Sequence, residues 1–120
     1  MNRVQRKRIP GYRLPPRTLC VTRGTKWGNR WRVTPVGAKW LVTDGERKFR
    51  FDNKHAAHLF AVMTFQGELT PVLIREFVEV CREREIENVA CFCPPELPCH
   101  ADAWIDAAEA LDKKPHPGVK

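Results

Sequence analysis

The stretch Val89-Ala90-Cys91-Phe92-Cys93-Pro94-Pro95-Glu96-Leu97-Pro98-Cys99-His100-Ala101-Asp102 decides the fold: an apolar run is broken by prolines and gives way to a helix start. Residues 89–93 read as a buried strand, and its two-residue period points Cys91 and Cys93 to the same side. Cys99 and His100 open a helix in which Ala101, Trp104, Ile105, Ala108 and Leu111 share the core face. A strand end facing a helix start is where α/β proteins commonly place a metal, an anion or a nucleophile. Three thiols, an imidazole and the Asp102 carboxylate fall there within residues 91–102.

Working outward, residues 18–23 read as a second strand. Helical connections between the two strands favour a parallel pair. Their carboxyl ends then meet at one edge, bringing Arg23, Lys26, Trp27 and Asn29 of the loop at 24–30 close to Cys93, His100 and Asp102 in a single pocket. Asp44-Gly45 is a two-residue turn signal between 38–43 and 46–51. That register sets Trp40 opposite Phe49 and gathers Lys39, Lys48 and Arg50 on the other face. Asp52 or Asn53 caps a helix reaching about residue 65, with Ala56, Leu59, Phe60 and Met63 on its apolar face and Gly67 ending it. Thr70 and Pro71 start another helix, whose stripe is Leu73, Ile74, Phe77, Val78 and Cys81. The fold class is α/β: a small single domain with a mixed sheet, an added β-hairpin and about three helices. Residues 1–16 form a basic extended arm, 17–112 the α/β domain and 113–120 a flexible tail.

The chain has 120 residues, enough for one core. No apolar run approaches the roughly 18 residues needed to cross a membrane, and the Arg-rich start has no apolar segment behind it. Five cysteines, three of them crowded together, suit a reduced compartment, so a cytoplasmic location is expected, the host cytoplasm if the chain is phage-encoded. Cys20 and Cys81 read as small core residues. The net charge is +7, and every acidic residue lies at Asp44 or later. A wholly basic N-terminal third favours a polyanionic partner, a nucleotide or nucleic acid.

Three ordered motifs carry a family resemblance: Gln5-Arg6-Lys7-Arg8 with Gly11-Tyr12-Arg13; Thr25-Lys26-Trp27-Gly28-Asn29; and Cys91-Phe92-Cys93 with Cys99-His100-Ala101-Asp102. Over most of its length the chain resembles the domain of unknown function 4326 family, small proteins of bacteria and phages. The resemblance implies the fold and the location of the site; the activity of that family is not established. The family loop commonly runs from Gly-Asn into Pro-Phe, where this chain has Arg30-Trp31, and the Asp44-Gly45 hairpin looks like an elaboration.

The cluster supports two chemistries. Cys91, Cys93, Cys99 and His100 form a donor set of the type zinc prefers, although C-x-C is not the usual C-x(2 to 4)-C knuckle. Without metal, Cys93, Cys99, His100 and Asp102 are catalytic candidates: Cys99 as a thiolate favoured by the helix start, His100 as acid or base, and Asp102 to orient an imidazole or accept a ribose hydroxyl. Arg23, Lys26, Arg6 and Arg8 would neutralise phosphate, Trp27 would stack on a base and Asn29 would bond its edge. Packing readings stand beside these, Trp27 as a core residue and Asp102 as a solvated carboxylate. A sequence-tolerant nucleic-acid contact through the basic arm is the remaining class. The expected function is binding of a phosphate-bearing ligand, a nucleotide or nucleic acid, at the Cys/His/Asp edge, with zinc as the expected inorganic ligand. A small enzyme acting on such a ligand through that pocket is the alternative.

Overall fold

The computed structural model describes residues 1–113. In chain order the elements are β1 (Asn2–Gln5), β2 (Thr18–Cys20), β3 (Arg32–Val36), β4 (Lys39–Thr43), β5 (Lys48–Phe51), α1 (Lys54–Glu68), α2 (Pro71–Glu83), β6 (Asn88–Cys91) and α3 (His100–Lys113). They form two three-stranded sheets, β1-β6-β2 and β3-β4-β5, in one mixed α/β domain. Beyond Lys113, the tail expected from residue 113 lies outside the described residues.

β6 is the central strand of the first sheet and pairs in parallel with both neighbours, Leu19 opposite Val89 on one side and Val4 opposite Ala90 on the other. Val89, Ala90 and Cys91 are buried, as a strand enclosed on both faces requires. The parallel pairing expected for residues 18–23 and 89–93 therefore holds, with shorter strands. The start of the supposed arm is not free: residues 2–5 are an edge strand, and Arg6 N–H continues the ladder by donating to the Cys91 carbonyl at 2.7 Å. Helix α3 lies against β1 and β6 and packs on α1 and α2. Its Trp104 is fully buried, stacked on Phe77 of α2 and edge-on to Phe65 of α1.

The second sheet is antiparallel. β3 extends the expected hairpin to three strands; Pro35 argues against a strand interior in the sequence, yet fits an edge strand, where a missing N–H costs little. The β4–β5 register is shifted from expectation, with Trp40 opposite Phe51 and Val42 opposite Phe49. The connection is four residues because the Asp44 carboxylate accepts the N–H groups of Glu46 (3.0 Å) and Arg47 (2.8 Å), while Thr43 Oγ1 accepts that of Gly45 at 3.0 Å. A two-residue shift preserves both faces. Trp40, Val42, Phe49 and Phe51 still share one side, and Phe60 of α1 packs between Phe49 and Phe51 with centroids at 4.9 and 5.0 Å.

Asn53 caps α1, its Oδ1 accepting from Ala56 N–H at 2.7 Å, and the helix runs through Gly67 to Glu68. The buried face is Ala57, Ala61 and Phe65, not the expected stripe: Leu59 and Met63 are exposed. Small residues face inward because α1 is wedged between the second sheet and α3. Thr70 and Pro71 start α2 as predicted, with Thr70 Oγ1 accepting from Leu73 N–H at 3.2 Å. No single described helix is long and apolar enough to cross a membrane.

Candidate functional site

β6 ends at Cys91, and residues 92–99 loop back to the start of α3. This brings three sulfurs, those of Cys91, Cys93 and Cys99, within 4.8 Å of one another, with Cys91 and Cys93 at 3.8 Å. His100 is buried, and its Nε2 donates to the Val21 carbonyl at the end of β2. A carbonyl only accepts, so that bond fixes the proton on Nε2 and leaves Nδ1 facing Cys91 at 3.9 Å and Cys99 at 3.8 Å. Around a tetrahedral ion with metal–sulfur bonds of about 2.3 Å, sulfurs sit about 3.8 Å apart. The three cysteines therefore have the spacing and chemistry to hold a metal ion, and His100 Nδ1 faces two of them.

Arg3 of β1 secures the loop. Its guanidinium donates to Asp102 at 2.6 Å and to the carbonyls of Pro94 (2.6 Å) and Leu97 (2.7 Å), joining the edge strand to the Cys loop and the first turn of α3. Electrostatically the thiols act as a unit. Hydrogen bonds from Cys93 and Cys99 hold Cys91 far below the ordinary thiol range. Its acceptor role pushes Cys93 up to about 11 and raises Cys99 further, with burial adding to both. The favoured thiolate is thus Cys91, where the sequence pointed to Cys99; the helix starts one residue later, and Cys99 is a donor to its neighbours.

The cluster forms one wall of a cleft of about 230 Å³. Arg8, Arg23, His58 and His100 bring positive or protonatable groups to it, while Trp31, Val33, Val62 and Phe92 supply apolar surface. No carboxylate lines it among the described residues. Arg8 lies over the Phe92 ring at 4.0 Å, and Arg6 approaches the same ring at 5.1 Å. Arg23 donates to the carbonyls of Asn29 and Trp31, both at 2.7 Å. Asn29 is buried and braces the loop: Nδ2 donates to the Ala61 carbonyl at 3.2 Å, and Oδ1 accepts from Trp31 N–H at 2.9 Å. Gly28 allows the turn to fold this tightly, since a Cβ there would lie 2.9 Å from the Thr22 carbonyl oxygen and 3.0 Å from Arg23 Cα.

Of the residues expected at one pocket, Arg8, Arg23, Asn29, Cys91, Cys93, Cys99 and His100 meet there. The others do not line it. Lys26 pairs with Glu76 of α2 on the surface. Trp27 is a core residue, edge-on to Phe77 at 5.4 Å and Trp104 at 5.3 Å, with its carbonyl accepting from Trp104 Nε1. Asp102 is engaged by Arg3, and Arg6 reaches Cys20 Sγ at 3.9 Å. His58 is the cleft residue the sequence concealed. It shares a helical face with Ala61, Val62 and Phe65, a face legible only once the burial of α1 is known. Burial, then Lys54, His55 and Arg23, lower its pKa below the ordinary imidazole value.

A parallel sheet whose carboxyl edge carries a Cys/His cluster, beside an arginine-lined cleft, defines a small α/β protein with a pocket at the strand ends. The chain belongs to the family described as domain of unknown function (DUF4326), whose model matches residues 4–110. That span takes in the last two residues of β1, the Gly28-Asn29 loop and the whole Cys cluster. No curated protein and no solved structure matches the chain.

Proposed function

We propose that the cleft binds a phosphate-bearing ligand, a nucleotide or nucleic acid, beside a zinc ion held by Cys91, Cys93, Cys99 and Nδ1 of His100. The observation that carries this reading is the composition of the cleft wall beside the cysteines: Arg8, Arg23 and His58, with no carboxylate among the described residues, around an apolar floor. Away from the thiols, such a wall favours an anion with a planar apolar part. Arg8 is held over Phe92, so its guanidinium is placed before a phosphate arrives.

Zinc is favoured over other cations by three thiols within 4.8 Å of one another, with Nδ1 of His100 facing two of them as the proposed fourth donor. With all four protein donors engaged the centre is closed and its role is to lock the end of β6 to the start of α3. A binding function is favoured over nucleophilic chemistry, because Cys93, Cys99 and His100 serve the ion and Asp102 serves Arg3.

Calorimetric titration of the zinc-loaded protein with nucleoside monophosphates and triphosphates tests the reading. Arg8→Gln is expected to weaken nucleotide binding about tenfold or more, the scale of one lost charge-assisted bond, while zinc content stays unchanged. Nucleotide binding that ignores Arg8→Gln, or no binding of any nucleotide, contradicts it.

A further inference from the structure

The geometry points to a polynucleotide strand as the cleft's ligand, led to it across the open face of the β3-β4-β5 sheet by Arg32, Lys48 and Arg50. This inference rests on the cleft binding phosphate and deepens that reading by naming a polymer instead of a free nucleotide.

The register places the residues. Arg32, Thr43 and Lys48 stand side by side across the three strands, as do Thr34, Leu41 and Arg50, and all project from the face turned away from α1. The opposite face carries Val33, Trp40, Val42, Phe49 and Phe51 against α1. Arg32, Lys48 and Arg50 are exposed, and none has a hydrogen bond or ion pair to a carboxylate among the described residues. Four other surface cations are matched, Arg17 with Glu87, Lys26 with Glu76, Arg30 with Glu68 and Lys39 with Asp52. Lys7, Arg13, Arg75 and Arg84, also exposed and unmatched among the described residues, lie outside this sheet. A group of uncompensated charges on one flat face repels itself unless a polyanion covers it. Lys48 and Arg50 are about 7 Å apart along β5, and Arg32 stands about 10 Å from Lys48 across the strands, spacings suited to successive backbone phosphates.

The face is continuous with the cleft. A second groove, lined by Arg23, Arg30, Arg32, Thr43, Asp44 and Gly45, shares Arg23 with it. Asp44 contributes no free charge there, since its carboxylate is engaged by Arg47 and two backbone N–H groups. At the far side of the cleft Arg8 and Arg6 flank Phe92, an aromatic platform backed by cations. Nucleic acid is favoured over an anionic membrane because the only large apolar residues on the sheet face are Leu41 and Val36, with no aromatic to insert.

The test uses the full chain, a labelled oligodeoxythymidylate of about a dozen nucleotides and thymidine monophosphate, followed by anisotropy and calorimetry over a salt series. Combined Arg32→Gln, Lys48→Gln and Arg50→Gln are expected to weaken oligonucleotide binding at least tenfold. They should also reduce the slope of log affinity against log salt by about 2, the release expected for three single-strand phosphate contacts. Monophosphate binding and the thermal melt should not change. Unchanged oligonucleotide affinity with monophosphate binding intact overturns the strand path and leaves the cleft reading standing. Loss of both ligands in the unmutated protein overturns the cleft reading itself. Binding to phosphatidylserine vesicles that depends on the three cations, without oligonucleotide binding, overturns the choice of partner.

Discussion

The two sheets are alike in size and opposite in use. The parallel sheet is enclosed, so Val89 and Ala90 of its central strand are wholly buried, whereas in the antiparallel sheet only Val42 is, and Phe49 remains 40% exposed. Enclosure gives the first sheet a dry, fixed edge on which thiols and an imidazole keep their positions. One-sided cover gives the second sheet an apolar underside for α1 and a charged upper face free for contact. The cleft lies where these meet, with Arg23 and Trp31 on the connection between them.

The contrast can be broken by stability measurements. Trp104→Ala removes a side chain stacked on Phe77 beneath the first sheet and is expected to cost about 3–5 kcal/mol in urea unfolding. Phe49→Ala in the second sheet should cost about 1–2 kcal/mol, because much of the ring is already in water. Equal losses would mean that the two sheets share one core. Gly28→Ala presses a methyl group on the backbone of Thr22 and Arg23, so a loss of about 1–3 kcal/mol is expected, together with weaker ligand binding.

A smaller effect sharpens the cleft side of the comparison. His58 is held below the ordinary imidazole value of 6.5, chiefly by burial. Well above that value both folded and unfolded chains carry it neutral. As pH falls through about 6.5 the unfolded chain takes up the proton first, so stability declines until the folded pKa is passed. Proton NMR should give a His58 midpoint below 6.5 that moves upward when an anion fills the cleft, and His58→Gln should flatten that part of the stability profile. A midpoint at or above 6.5 in the free protein contradicts this picture.

Much of the first sheet was legible in the sequence. An apolar run ending in Cys91, a β-branched run before Arg23 and intervening helices leave few arrangements other than a parallel pair. The Cys cluster was legible for the same reason, since local spacing sets where those thiols meet. β1 was concealed because an edge strand is held by backbone bonds that its basic side chains do not advertise, and β3 because of Pro35. Trp27, Lys26 and Asp102 were misplaced because a loop's position does not fix where each side chain turns; α2 and α3 captured the first two, and Arg3 the third. The same limit hid His58, whose direction depends on the helix face that α3 and the second sheet select.

The measurement closest to the central claim is metal analysis of untagged protein purified under reducing conditions, joined to thiol alkylation before and after chelation. The account predicts one zinc per chain, with Cys91, Cys93 and Cys99 protected until the chelator is added. Metal-free, folded protein in which those three thiols react equally with and without chelator would contradict it.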